Sequence, residues 1–304
     1  MMNRMNIEYA KRSLLGLSIG DAFGDSFFGD YDVINDCIDN RIIPSTTKWE
    51  YTDDTVMAIA VLNNLISNGI IDQDLLARQF ADNYKRDINR GYGGTAHKIL
   101  REIGEGKDWR NVSAAVFDGQ GSMGNGAAMR AAPLGTFFYN NKEALLYEAA
   151  KSAEVTHCNR EAIIGAQAIA YAAGLALDSK LRNQSIKAED FIGDIYTQLA
   201  DSDTKSKIGK SLHIPKSYRI DTVVSILGNG IKLMAQDTVP IAIWCAAHYI
   251  DSFEDALWTA VSALGDRDTI CAMVGSIAIL YADEKTVPKE WVERVEKTEN
   301  SDFI

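Results

Sequence analysis

Proline is scarce in this sequence, at 5 of 304 residues, where average usage of about 5% would give roughly 15. Long stretches therefore run without the residue that most reliably interrupts helices, and the composition leans towards α. Cysteine is sparse too. Cys37, Cys158, Cys245 and Cys271 lie far apart, form no CxxC pair and sit mostly in apolar stretches, which excludes a disulfide scaffold and predicts reduced, buried thiols. Positive charge is in deficit: 31 Lys and Arg against 42 Asp and Glu leave a formal charge of −11. A field of that sign repels phosphate backbones and anionic membranes, so neither general nucleic-acid binding nor membrane association is expected. No apolar signal-type segment follows Met1, and the apolar stretch around Ile163 to Leu177 is Ala-rich and broken by Gly and Gln. A soluble, cytoplasmic protein is expected. HExxH, Walker, GxSxG and Cys–His nucleophile signatures are all missing, which leaves protease, NTPase and hydrolase-elbow readings without support.

What is present is an ordinary globular balance, 46% hydrophobic and 24% charged, able to bury a substantial core. Helical spacing recurs from end to end, as in Ile7, Ala10, Leu14 and Leu17, and in Val56, Ala60 and Asn63. Thr52 and Asp72 are placed as N-caps, Gly69 as a C-terminal stop, and Pro133 and Pro240 at helix beginnings. Further helices are predicted over 94–104, 125–139, 142–153, 159–177, 188–200, 219–235, 239–250, 253–264, 268–282 and 288–297. No alternating strand stands out, so the fold class is all-α. The polar run 201–217, rich in Ser, Lys and Asp, is the best linker candidate. Similar apolar helices flank it and the two most suggestive clusters lie on either side, so it reads as a surface loop in one domain spanning 1–304.

Those clusters are Thr52-Asp53-Asp54-Thr55 and Gly265-Asp266-Arg267-Asp268-Thr269, each just before an apolar helix. Acidic residues in a first helical turn also simply complement the helix dipole. Each cluster nevertheless offers two carboxylates and a hydroxyl within a few residues, the oxygen ligands that Mg²⁺ or Mn²⁺ require. Asp266 and Asp268 can converge only at a loop-to-helix junction, which is where the pattern puts them. If the two junctions meet, four carboxylates repel one another severely without metal, and a binuclear site is the economical inference.

A third constellation, Gly121-Ser122-Met123-Gly124-Asn125-Gly126-Ala127-Ala128-Met129-Arg130, combines a glycine-rich loop with the start of a predicted helix. That combination suits phosphate or pyrophosphate, although a plain connector reads the same way. Gly91-Tyr92-Gly93-Gly94-Thr95 opens another helix and offers a second wall. Thr156-His157 falls at a helix boundary, where the imidazole serves either structure or chemistry.

Taken in order, Gly20-Asp21-Ala22-Phe23-Gly24, Tyr51 to Thr55, Gly91-Tyr92-Gly93, Gly121 to Arg130 with Pro133, Thr156-His157 and Gly265 to Thr269 resemble the motifs of the ADP-ribosylglycohydrolase family, which includes dinitrogenase reductase-activating glycohydrolase. The resemblance spans residues 13 to about 282. It implies a compact, orthogonal multi-helix bundle with a two-metal site that removes ADP-ribose from a modified protein. By position it implies that Thr52, Asp53, Asp54, Asp266, Asp268 and Thr269 hold two Mg²⁺ or Mn²⁺ ions, and that Asp53, Asp54 or Asp266 is the base. It implies further that Gly121, Ser122, Met123, Gly124, Asn125 and Gly126 cradle the diphosphate and adenosine ribose, that His157 lines the same cleft, and that Gly93 and Gly94 border the distal ribose.

Three positions depart from the family pattern. Phe28 stands where several relatives carry a Glu that positions the reaction water, and Asp25 and Asp30 are nearby but displaced. Met123 replaces an aromatic residue that faces the adenine, and Leu264-Gly265-Asp266-Arg267-Asp268 replaces the common GGDTD. Because that Glu is typical of members acting on serine-linked or O-acetylated ADP-ribose, the resemblance favours ADP-ribosyl-arginine. A non-catalytic ADP-ribose binder, a blocker of an ADP-ribosyltransferase, and a hydrolase of serine-linked or O-acetyl-ADP-ribose are the rival readings. Retention of all six ligand positions favours the enzyme.

Overall fold

Gly16, Gly20 and Gly24 recur every four residues along the helix Arg4–Asp25 in the computed structural model, which describes residues 4–44 and 49–297. A methyl group at any of the three would overlap a backbone carbonyl of the helix Arg267–Ala278, those of Gly275, Cys271 and Arg267 in turn. The reversed order shows that the two helices run antiparallel, and the glycine stripe lets their backbones touch. This contact sets Asp21 within electrostatic reach of Asp268 and so brings the two ends of the chain to one site.

The described residues form seventeen α-helices and two 3₁₀ turns. No sheet joins them; Trp49–Val295 and Gly124–Met234 are isolated bridges. At the centre runs Arg160–Leu181, whose Ala162, Ala166, Ala170 and Ala173 are fully buried against the helices Ala132–Phe137, Lys142–Glu154 and Ala235–His248. By length and composition this helix is apolar enough to cross a membrane, but 72% of its most apolar stretch is buried within the fold. Small side chains on every face make it a core helix. Thr52 and Asp72 cap their helices as expected, and Gly69 ends one in the left-handed conformation at φ 75°.

Several expectations are corrected. The run 201–217 is not a surface loop. Ser202 caps a helix, Asp203–Ser211, that buries Thr204, Ile208 and Ser211; a stripe of two small polar residues and one isoleucine suffices because it docks against Ala235–His248. The helix expected over 219–235 stops at Leu227, where Gly228, Gly230 and Leu233 adopt positive φ. Pro240 lies inside Ala235–His248 rather than at its start. Proline removes the bond to the residue four back, here Gln236 in the first turn, so the cost falls at the helix end. The expected 125–139 helix is a single 3₁₀ turn, Asn125–Ala127, followed by Ala132–Phe137, so the glycine loop does not lead directly into an α-helix. Tyr31–Asp39 and Trp109–Ala114 are additional helices. All four cysteines are free, but only Cys245 and Cys271 are buried, while Cys37 and Cys158 are partly exposed.

Candidate active site

Thr52 caps the helix Asp53–Asn68, its Oγ1 accepting the Asp54 N–H at 3.3 Å and donating to Asp54 Oδ2 at 3.1 Å. The cap is held from behind by Asp21, a fully buried carboxylate. Asp21 accepts the Thr52 N–H at 3.0 and 3.1 Å, the Thr55 N–H at 3.1 Å and the Thr55 hydroxyl at 2.6 Å. Asp53 N–H donates to the Arg90 carbonyl at 2.6 Å, and Arg90 is locked by a two-pronged pair with Glu296. The first junction is therefore rigid before any ligand arrives.

The second junction is built from the chain's other end. Asp266 occupies the N-cap position of Arg267–Ala278, and its N–H donates to the Asn229 carbonyl at 3.0 Å. Asn125 Nδ2 donates to Asp266 Oδ2 at 2.5 Å and to Thr238 Oγ1 at 3.0 Å. Thr269 Oγ1 donates to Asp54 Oδ2 at 3.3 Å. The two aspartate clusters, more than two hundred residues apart in sequence, are thereby joined side chain to side chain.

Crowding shows in their acidity. Burial lifts the Asp21 carboxyl to about 7 against the Thr55 hydrogen bond, with the Asp268 charge adding to it. Burial and the Asp268 charge lift Asp266 to about 8. Asp53 and Asp54 are driven well above the usual carboxylate range by burial, then by Asp21 and Asp268. Burial raises Asp268 as well. Asp54 Oδ1 and Asp268 Oδ1 are buried without a hydrogen-bond partner among the described residues. Such groups call for positive charge. Among the described residues no group of three or more His, Cys, Asp or Glu side chains stands arranged to hold a metal ion, while the two carboxylate oxygens of Asp54 and Asp268 stay open.

Beside them lies a cleft of about 350 Å³. It is lined by Asp53, Asp54, Asp266, Asp268 and Thr269 of the two clusters, by Gly93 and Gly94, and by Ser122, Met123, Gly124, Asn125, Gly126 and His157. Two expected residues do not line it. Thr52 sits behind Asp54 as the cap, and Gly121 is a turn at φ 72° packed on Cys158. His157 is buried, and burial plus the Arg130 charge push its imidazole down to about 3, so the ring is neutral at physiological pH.

Four further residues contribute to the site without standing out in the sequence. Asp21 sits in the Gly20-Asp21 motif, yet its role behind Thr52 depends on a contact across 31 residues. Phe117, 57% exposed at φ 51°, lines the cleft as well. Lys232 is the one cationic side chain among the described lining residues, on the turn whose Gly228-Asn229-Gly230 spelling was the available signal. Arg130, fully buried, donates to the Gly126 carbonyl.

Comparison with known proteins bears on the family and the fold. The ADP-ribosylglycohydrolase family profile matches residues 3–303. ADP-ribosylhydrolase ARH3 of Homo sapiens is 31% identical over an alignment covering 96% of this chain and 90% of that protein. ADP-ribosylarginine hydrolase Tri1 of Pseudomonas putida is 27% identical over 95% of this chain and 74% of its own length. A solved ADP-ribosylglycohydrolase-related protein complex superposes with a TM-score of 0.67 at 22% identity, covering 96% of this chain and 93% of that one, which supports the fold. With a match running almost from end to end, this chain belongs to the ADP-ribosylglycohydrolase family of hydrolases.

Proposed function

We propose that this enzyme removes ADP-ribose from arginine side chains of a modified protein, using two Mg²⁺ or Mn²⁺ ions. The observation that carries the reading is the meeting of both aspartate clusters in a cleft that the glycine loop also lines. Thr52, Asp53, Asp54, Asp266, Asp268 and Thr269 would hold the ions. They fit hard cations because every donor is oxygen and two buried carboxylate oxygens have no other partner among the described residues. When bound, the ions supply Lewis acidity to ribose hydroxyls and to water.

The chain's own side chains do the rest. The glycine loop, with Ser122, Met123, Gly124, Asn125 and Gly126, holds the diphosphate and adenosine ribose, assisted by His157. Phe117 offers the exposed ring against which an adenine stacks. Gly93 and Gly94 leave room for the distal ribose, since nothing lies within 4 Å of where a Cβ would be. Asp53 lines the cleft, and no side chain among the described residues hydrogen-bonds its carboxylate, so it takes the proton from the attacking water. The water oxygen bonds to the ribose carbon as the carbon–nitrogen bond breaks, and the proton passes to the departing guanidine nitrogen. Surrounding carboxylates favour the positive charge that builds on the sugar.

Arginine is favoured by an acidic border. Asp25, raised to about 6 by burial, then by the charges of Asp268 and Glu50, adds to the acidic surroundings of the cluster, which suit a guanidinium leaving group. The name of the Pseudomonas relative, an ADP-ribosylarginine hydrolase, supports the same linkage. Four free thiols support a reducing, cytoplasmic setting. The test is release of ADP-ribose from arginine-linked, serine-linked and DNA-linked substrates, each with Mg²⁺ or with chelator. Release from the arginine linkage in Mg²⁺ alone is expected. Cleavage of only the serine linkage would reverse the substrate assignment, and equal release in chelator would remove the metals.

A further inference from the structure

Arg130 is 0% exposed and makes no ion pair among the described residues; Asp53 supplies the nearest compensating field. A bare buried guanidinium is costly unless its donors are used. Here they are. Nη1 donates to the Gly126 carbonyl at 2.8 Å, and Nη2 donates to the Ser152 carbonyl at 3.0 Å and to Thr156 Oγ1 at 2.9 Å. The guanidinium also lies 4.5 Å over the Phe80 ring.

The Thr156 hydroxyl links this arginine to the cleft. Its oxygen accepts from Arg130, which leaves its single proton to be donated. The one acceptor it meets among the described residues is His157 Nδ1, at 2.7 Å. A donor arriving at Nδ1 requires that nitrogen to be unprotonated, and a neutral imidazole then carries its proton on Nε2. Nε2 has no partner among the described residues. It points at the glycine loop, which lines the cleft, 3.1 Å from where a Cβ on Gly124 or Gly126 would stand.

We propose that Arg130, acting through Thr156, holds His157 in the Nε2–H tautomer, so that the imidazole serves as a neutral donor to a diphosphate oxygen of ADP-ribose. Arg130 and Thr156 are positioning residues; His157 alone touches the ligand. The proposal rests on the ADP-ribose reading of the cleft. It gives the buried arginine a role that packing does not: a methionine would fill the space, but it would leave the Thr156 hydroxyl free to accept from Nδ1 and so release the tautomer. The Nη1 bond to Gly126 fixes the loop on which the same oxygen would rest, so one guanidinium sets both donor and cradle.

The test is long-range ¹H–¹⁵N spectroscopy of the full-length protein labelled at its four histidines, with the His157 signals assigned by their loss in His157→Gln. An unprotonated Nδ1 and a protonated Nε2 are expected in the wild type and in Thr156→Ser. Thr156→Val, which keeps the volume and removes the hydroxyl, should give a tautomer mixture and bind ADP-ribose roughly tenfold more weakly by calorimetry, while Thr156→Ser binds like wild type. An Nδ1–H tautomer in the wild type would overturn the relay. So would a Thr156→Val protein with unchanged spectrum and affinity. If the wild type shows the expected tautomer yet binds no ADP-ribose, the ligand assignment fails together with the reading of the cleft, whereas the tautomer result stands apart from it.

Discussion

Asn125 Nδ2 donates to Asp266 Oδ2 at 2.5 Å across 141 residues of sequence. The glycine loop and the second aspartate cluster are therefore one mechanical unit, and a loop residue has two different ways to act. Asn125→Ala leaves Asp266 without its donor. It should weaken both Mg²⁺ and ADP-ribose binding, the metal by roughly 10–100-fold, the range seen when a ligand loses its orienting partner. Titration calorimetry with each ligand checks this; unchanged Mg²⁺ affinity would separate the two halves of the site.

Gly126→Val should behave differently. Its Cβ would stand 2.9 Å from His157 Cε1, so the side chain displaces the imidazole and narrows the cleft without touching an aspartate. ADP-ribose affinity should fall by more than about tenfold with Mg²⁺ affinity and helical signal retained. The cause is collision rather than backbone strain, since Gly126 does not adopt positive φ.

Asp54→Asn keeps an oxygen to accept from Thr52 and Thr269 while removing a charge from the cluster. Turnover should drop by on the order of 10²–10³-fold, as for loss of one electrostatic stabiliser. The metal-free protein should become more stable, because one repulsive carboxylate is gone. Thermal melts in chelator and steady-state rates in Mg²⁺ read the two effects separately, and a less stable metal-free variant would contradict the repulsion argument.

In chelator, stability should rise as the pH is lowered from about 8.5 to 6.5. Asp21 and Asp266 are raised to about 7 and about 8 in the fold, so over that interval the native state binds more protons than the unfolded chain, and their stabilising contribution is lost as pH climbs through those values. His157, pushed down to about 3, acts with the opposite sign below about 6.5, where only the unfolded chain gains a proton. Melting temperature against pH should therefore bend near 6.5 without metal. With Mg²⁺ the slope above 6.5 should flatten or reverse, because only ionised carboxylates bind the cation.

Gly20→Ala places a methyl group on the Cys271 carbonyl. Backbone cannot step aside as a side chain does, so a loss of about 1–3 kcal/mol in denaturant unfolding is expected. Because the contact also places Asp21 beside Asp268, Mg²⁺ affinity should fall with it. Gly93→Ala, with open space at its Cβ, is the control that should leave unfolding unchanged.

Local chemistry accounts for much of this molecule. Thr52, Asp72 and Gly69 end helices through bonds that span a few residues, and Asp53-Asp54 and Asp266-Arg267-Asp268 stand out because carboxylates packed so densely need an explanation within the sequence itself. Those features are legible in order along the chain, together with the glycine loop and His157. Other features depend on partners that a one-dimensional reading does not supply. The helix Asp203–Ser211 has too thin an apolar stripe to be recognised alone and exists because Ala235–His248 lies against it. The chain turns at Gly228 to Leu233 because the Asn229 carbonyl must meet the Asp266 N–H. Asp21 reads as one more helical residue until Arg4–Asp25 closes on Arg267–Ala278, and Arg130 as one more surface charge until Phe80, Ser152 and Thr156 surround it. Short-range bonds pick their partners by spacing, which the order of residues records; a buried charge picks its partners by the way distant helices pack, and that packing is settled by the whole core at once.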